Sequence, residues 1–508
     1  MIEPTQPLTV QDVENVLGTT IRHDNQNKVI AFLAKLLTYT EEDQINLGFM
    51  AEASTGKSYI ALETAWYFPK GDIIILGYAS PTAFFHEYGT LMHRQGIPIK
   101  FELKPSKETI KEDLEVEKGH VTKAEVEEAY KREMRKWKEL LKDSYYLVDL
   151  HQKILIFLDM PHDMLLQRLR PLLSHDSKEI VLKITDKREK GGLRTKTVVV
   201  RGYPTVVFCS ARFSMADQEK TRLLLLSPEI SQEKLRESIA LRIEKESDRE
   251  AFYKWMESHP DRVALKKRVE LIKSARIKYV KIPEELRSKI ILEFEEKHKH
   301  LTPRHQRDIN RLLGLIKAHA LLNFMFRKRE GDAIIVNEED VTAGFQLYYG
   351  ISEANEMGLA PEIYNIYEKV KPHIPIEGVT ILDFQTIYFR EFHKPIGSKR
   401  AKEILDILTS TGLLVEKPDS NDKRVKRFHL SEVGVNSPPS QGEYILAQEV
   451  VERVFKVLCE ASRVRGSALL SEIARETGFP EDRVKAVLES LQREGKVYSP
   501  YPDFWKVV

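Results

Sequence analysis

Cysteine is all but missing from this chain: Cys209 and Cys459 are its two thiols. Two thiols build neither a disulfide scaffold nor a cysteine-rich zinc site. Long apolar runs are missing too. No stretch reaches about 18 apolar residues, and the N-terminus has no basic-then-apolar leader. The chain is therefore expected to be neither secreted nor membrane-spanning, and to work in the reducing cytoplasm. An excess of one charge is also absent. Lys and Arg number 79 against 77 Asp and Glu, a net +2. Bulk charge says nothing about partners, so its local distribution has to.

The 508 residues, 42 % of them hydrophobic and 31 % charged, make a folded chain of three or four domains at roughly 100–200 residues each. Residues 1–45 read as a mixed helical segment. A short apolar strand follows at Ile45–Met50, then Ala51–Ser58, then a helix from Tyr59 to Phe68. Further apolar strands read at Asp72–Gly77, Ile154–Asp159, Thr205–Ser210 and Leu223–Leu226, with a charged helical stretch at 101–142. Strands apolar throughout and alternating with helices predict a parallel sheet covered on both faces. The pattern is helical from about 230 to 350. Two small units follow 375, separated by the turn-rich linker Gly434–Gly442.

Residues 51–58, Ala-Glu-Ala-Ser-Thr-Gly-Lys-Ser, match the phosphate-loop pattern G-x-x-x-x-G-K-[ST] with Ala51 in place of the first glycine. The strand before and helix after are the required context. Ser54, Thr55 and Gly56 are expected to turn their N–H groups toward phosphate. Lys57 supplies positive charge, and the Ser58 hydroxyl sits on Mg²⁺. These residues predict ATP with Mg²⁺ as cofactors. The second metal carboxylate is expected at the end of another buried strand, where Asp159 stands. Met160 follows it where a general-base glutamate would be usual, so Glu52, Asp163 or a carboxylate elsewhere would have to orient water. Ser210, ending the next strand, is a candidate sensor of the nucleotide.

Residues 180–203 read as two β-rich arms around Lys187–Leu193, a tip holding Gly191-Gly192. From 183 to 201 there are seven cations and two anions. A protruding basic hairpin of this kind grips a phosphate backbone, and Lys187, Arg188, Lys190, Arg194 and Lys196 are its candidate DNA contacts. Arg222, just before Leu223–Leu226, is a candidate arginine finger reaching a neighbouring subunit's nucleotide. Thr302 and Pro303 suit the start of a helix from which Arg304 projects toward phosphate. His300, His305 and His319 read as structural or surface residues, without metal-ligand spacing.

Residues 301–348 carry Leu301-Thr302-Pro303-Arg304-His305-Gln306, then Ala318-His319-Ala320, then Glu338-Glu339-Asp340-Val341-Thr342-Ala343. This run resembles the lid helices of minichromosome-maintenance helicases. The resemblance covers about 50–350 patchily, and the C-terminus. It implies an AAA+ ATPase, with Arg304 as second sensor, the basic hairpin as a pore hairpin, Arg222 as the finger, and self-association into a hexameric ring. Leu169–Pro228 also resembles the ATPase half of replication proteins from phages and integrative elements. Ala51, Met160 and the 101–142 insert depart from the family, and the family's collar domain is not expected within residues 1–50.

Residues 379–430 read as two helices and a strand–turn–strand, with Ser398–Ser410 as a recognition helix carrying Lys399 and Arg400 as candidate DNA contacts. Nine cations face five anions from 394 to 428. Residues 443–508 repeat that winged-helix grammar, ending in Gly495–Tyr498 and Phe504–Val507. The organisation expected is a helical segment 1–45, an α/β ATPase core 46–230, a helical lid 231–352, and winged helices at 375–432 and 443–508. The function expected is an ATP-driven, ring-forming DNA helicase or translocase on single- and double-stranded DNA in replication. A slow replication initiator or loader, and a non-enzymatic DNA-binding regulator, are the alternatives.

Overall fold

A computed structural model describes residues 2–507 apart from 78–88, 101–103, 162, 187–193, 212–221, 299–300, 303, 420–424, 432–452, 460, 463–466, 480, 494–496 and 502–503. The hairpin tip with Lys187, Arg188 and Lys190, and the linker 434–442, lie outside these. Contacts divide the chain into two units, Met1–Ile374 with Val379–Thr411 and Pro375–Gly378 with Gly412–Val508. Among the described residues no helix is long and apolar enough to cross a membrane.

The first unit opens with helices α1 (Val10–Gly18) and α2 (Asn25–Leu36). Every residue of α2 from Lys28 to Leu36 is buried, making it a central strut of the core. Strand β1 (Leu47–Met50), helix α3 (Lys57–Ala65) and strand β2 (Ile73–Leu76) come next. Strand β3 (Thr90–His93) precedes helices α4 (Lys107–Lys118) and α5 (Lys123–Lys142), and β4 (Ser144–Asp149) follows them. Then come β5 (Ile154–Phe157), α6 (Asp163–Leu173), β6 (Glu179–Asp186), β7 (Arg194–Arg201), β8 (Thr205–Ser210) and β9 (Leu224–Leu226).

The central sheet has the order β2-β5-β8-β1-β9, with every pairing parallel. Strands β1, β5, β8 and β9 are buried at every residue, as their unbroken apolar runs require for a sheet covered on both faces. The architecture is thus mixed α/β with a parallel sheet, consistent with a P-loop-like core. A second sheet, β3-β4-β7-β6, joins the expected hairpin arms β6 and β7 to two strands, β3 and β4, that the sequence did not reveal. Of the stretch expected to be helical at 101–142, Lys107–Lys118 and Lys123–Lys142 form a helical pair that falls between β3 and β4 in the chain. The hairpin β6–β7 runs in unbroken antiparallel register from Glu179↔Arg201 to Asp186↔Arg194.

Helices α7 (Gln232–Ser247), α8 (Arg249–Ser258), α9 (Pro260–Ser274), α10 (Glu284–Lys297), α11 (His305–Leu322) and α12 (Glu338–Glu356) follow. Between them β10 (Tyr279–Lys281), β11 (Arg329–Glu330) and β12 (Ala333–Ile335) make a three-stranded sheet inside a region that reads as wholly helical. Helices α11 and α12 pack so closely that a Cβ at Gly344 would lie 2.3 Å from Ile316 Cγ1. Asn355, at the end of α12, seals the outer edge of β9, the last strand of the sheet. Its Oδ1 accepts the Leu225 N–H at 2.7 Å and its Nδ2 donates to Leu225 O at 2.9 Å. The first unit ends with α13 (Pro361–Val370), α14 (Ile381–Phe392) and α15 (Ser398–Ser410).

The second unit holds the hairpin β13 (Leu414–Pro418) with β14 (Lys426–Leu430), then β15 (Ala468–Leu469), α16 (Leu470–Thr477), α17 (Glu481–Arg493), β16 (Val497–Tyr501) and β17 (Phe504–Val507). Its last sheet has the order β15-β17-β16, and Val454, Leu458, Ile473, Val484, Leu488 and Trp505 form its core.

Candidate phosphate-binding site

The loop between β1 and α3 has the backbone of an anion cradle. Ser54 and Gly56 both stand at positive φ, +66° and +100°, and Gly56 caps α3. A Cβ at Gly56 would have Lys234 Nζ at 4.0 Å as its nearest contact, so conformation rather than space calls for glycine there. Ala51 is not among the positive-φ residues, which explains why alanine can stand where the pattern has its first glycine. Ala53 and Ser54 are exposed, leaving the cradle open to solvent.

Lys57 is buried, and its Nζ donates to Ala51 O at 2.8 Å and also to Glu52 O. Burial lowers its pKa, partly countered by Glu362 and Glu52. The Thr55 hydroxyl donates to Glu52 O at 2.9 Å. Two further braces were not foreseen. Ser227 Oγ donates to Met50 O at 2.6 Å, and Lys234 Nζ donates to Thr55 O at 3.2 Å while ion-paired with the buried Asp24. Neither carries a sequence signal, because each partner lies about 180 residues from the loop.

The sheet order sets β8 between β1 and β5. Ser210 is the Cα partner of Met50, and its carbonyl accepts the Ala51 N–H at 3.3 Å, so it stands beside the loop's root. Cys209 alongside it bonds Ser58, and burial pushes its thiol up to about 11. Asp159 follows β5 by two residues and is exposed, and its Oδ1 accepts the Met160 N–H at 2.8 Å. The loop's N–H groups and Lys57 fit a nucleotide's phosphates, and Ser58 with Asp159 are oxygen donors of the kind Mg²⁺ takes.

The other predicted cations also belong to the first unit. Arg222 Nε donates to Ser174 Oγ of its own chain at 2.5 Å. Helix α11 begins at His305 with Arg304 as its cap residue, two positions later than Thr302 and Pro303 predict; the His305 N–H closes a preceding turn onto Thr302 O at 3.0 Å. Arg304 is turned inward, with Nε 3.4 Å from Asp308 Oδ2 and Nη2 bonding Asn355 O; burial lowers its pKa. Arg194 and Lys196 lie on β7. Lys399 is exposed on α15. Arg400 is half-buried, bonding Glu403 at 2.8 Å and lying 3.7 Å from Glu52 of the phosphate loop.

Three histidines are accounted for by packing. His319 Nδ1 lies 2.7 Å from Asp340 Oδ1, and Arg327 grips the same carboxylate twice at 2.7 Å. Burial raises the Asp340 carboxyl, and these bonds more than offset that, leaving it below the usual range. His298, His305 and Glu356 bring ligand-type atoms within 4.8 Å of one another, a cluster the sequence spacing does not reveal. Hydrogen bonds occupy it. His298 Nδ1 and Nε2 face Phe294 O at 2.7 Å and Glu356 Oε1 at 2.8 Å, and His305 Nδ1 accepts the Thr302 N–H at 3.0 Å.

No family model and no curated protein matches this chain. Among solved structures, the chain is similar to a full-length MCM homologue from Methanopyrus kandleri, with a TM-score of 0.34 and 11 % identity. The match covers 68 % of this chain and 59 % of that one, so less than two thirds of that protein's length is spanned, and the likeness is too slight to decide function.

Proposed function

We propose that this chain binds and hydrolyses ATP at loop 51–58 and uses it to act on DNA, as a ring-forming helicase or translocase in replication. The strand order β2-β5-β8-β1-β9 carries the reading. In a parallel sheet all carboxyl ends share one edge, and ligands sit there. Lys57, Ser58, Asp159 and Ser210 all follow or end strands at that edge.

The magnesium nucleotide, when bound, supplies the phosphoanhydride that is broken. The chain does the rest. Backbone N–H groups of Ser54–Lys57 and the N-terminal end of α3 hold phosphate oxygens, and the Lys57 ammonium balances their charge. Ser58 and Asp159 hold the metal, and Ser210 reports the occupant of the site to β8. The β6–β7 hairpin grips the DNA backbone, Arg222 completes a neighbour's site, and Arg304 acts from the lid. Residues 375–432 and 443–508 serve as winged helices in this reading.

A replication initiator or loader that hydrolyses slowly is the second reading. Met160 favours it, since no carboxylate directly follows Asp159. ATP-dependent strand displacement on a forked duplex separates the two. The helicase reading expects displacement by the wild type and none by Lys57→Ala or Asp159→Ala. Tight duplex binding without displacement would favour the initiator.

A further inference from the structure

Glu52 is the sole acid of loop 51–58, a carboxylate set where the chemistry calls for binding anions. Two cations from the α14–α15 region neutralise it. Lys394 Nζ lies 2.8 Å from Glu52 Oε2, and Arg400 Nε lies 3.7 Å from Glu52 Oε1. On the loop's backbone, Glu362 Oε2 accepts the Glu52 N–H at 3.4 Å. Burial and the Glu52 charge push the Glu362 carboxyl above its usual range. Two carboxylates and two cations therefore meet at the start of the phosphate loop, and all but Glu52 come from segments more than 300 residues away.

A mere brace is a poor explanation. The Lys394 side chain is 50 % exposed, and an ion pair so placed adds little to stability. What distinguishes the cluster is its place. A terminal phosphate carries more charge than a carboxylate and offers three oxygens, so it competes well for an ammonium and a guanidinium. We propose that Lys394 and Arg400 read the terminal phosphate of the bound nucleotide, resting on Glu52 when that phosphate is absent. The inference rests on loop 51–58 being a nucleotide site, and it gives that site discrimination between nucleoside triphosphate and diphosphate. It also reassigns Arg400 from the DNA contact its helix predicts to the nucleotide.

The test is equilibrium binding of fluorescent ATPγS and ADP, with Mg²⁺, to the full chain. Arg400→Ala and Lys394→Ala are expected to weaken ATPγS on the order of tenfold, as for a lost charge-assisted contact, and to leave ADP within about twofold. Arg400→Lys keeps the charge and most of the discrimination. Glu52→Gln releases both cations and tightens ATPγS several-fold. A structural brace behaves differently: Glu52→Gln and Arg400→Ala then move affinity in the same direction, for both nucleotides alike, and that result overturns the proposal. Wild-type protein that binds neither nucleotide would overturn the phosphate-loop reading itself, and this one with it.

Discussion

Lys35 is the residue where burial and charge conflict most openly. It is wholly buried on α2, donating to Thr64 Oγ1 at 2.8 Å and Ala31 O at 3.1 Å. Burial pulls its pKa down to about 7, against about 10.4 in an unfolded chain. Between those values the folded state binds fewer protons than the unfolded one, so stability rises with pH from about 7 toward about 10. Below about 7 the penalty is fully present. Lys35→Met is expected to stabilise the fold by about 1–4 kcal/mol at neutral pH, as replacement of a buried charge by an apolar side chain of similar size often does. It should also flatten the profile above pH 7. Thermal unfolding of both proteins across pH 6–10 measures this (a range spanning roughly both pKa values), and identical profiles would contradict it.

Elements hold the phosphate loop through buried polar contacts between distant segments. Arg262 on α9 is fully buried. It bonds Glu63 of α3 and Thr20, each at 2.8 Å, and lies 4.5 Å over the Trp66 ring. Arg262→Ala strands the Glu63 carboxylate in a half-buried site and is expected to cost about 3–5 kcal/mol. Asn355→Ala, which unseals β9, is expected to cost about 1–3 kcal/mol. Denaturant unfolding at constant m-value reads both, and losses under about 0.5 kcal/mol, as at an ordinary surface site, would refute them.

The sequence reveals elements whose signal is local. Thr205–Ser210 is apolar between its two end residues and is a strand over those same residues. Loop 51–58 carries its pattern in eight consecutive positions. By contrast β4 was hidden. Ser144-Tyr145-Tyr146-Leu147 is only half-buried and follows a 20-residue charged helix without a strong breaker. The Glu52 cluster was hidden for another reason: Glu362, Lys394 and Arg400 are ordinary surface-type residues until the fold brings them to the loop. Ser398–Ser410 was legible as a helix because its apolar spacing is local, but the direction Arg400 takes was not.

At the scale of the whole molecule, near-neutral net charge hides a strongly basic hairpin. Antiparallel pairing from Glu179↔Arg201 to Asp186↔Arg194 makes its arms a ladder eight pairs long. If it holds the DNA backbone, changing Lys187, Arg188 and Lys190 to alanine lowers affinity alike for all sequences. It should also shallow the slope of log affinity against log salt by about one unit per lost phosphate contact. Fluorescence anisotropy over a salt series measures this, and an unchanged slope would remove the hairpin from the interface.

The account turns on whether loop 51–58 is a working nucleotide site coupled to DNA. The direct measurement is phosphate release from Mg-ATP, with and without DNA, by wild type, Lys57→Ala and Asp159→Ala. The account predicts release that DNA stimulates and that falls to background in both variants. Release that survives Lys57→Ala, or a wild type inactive with and without DNA, would contradict it.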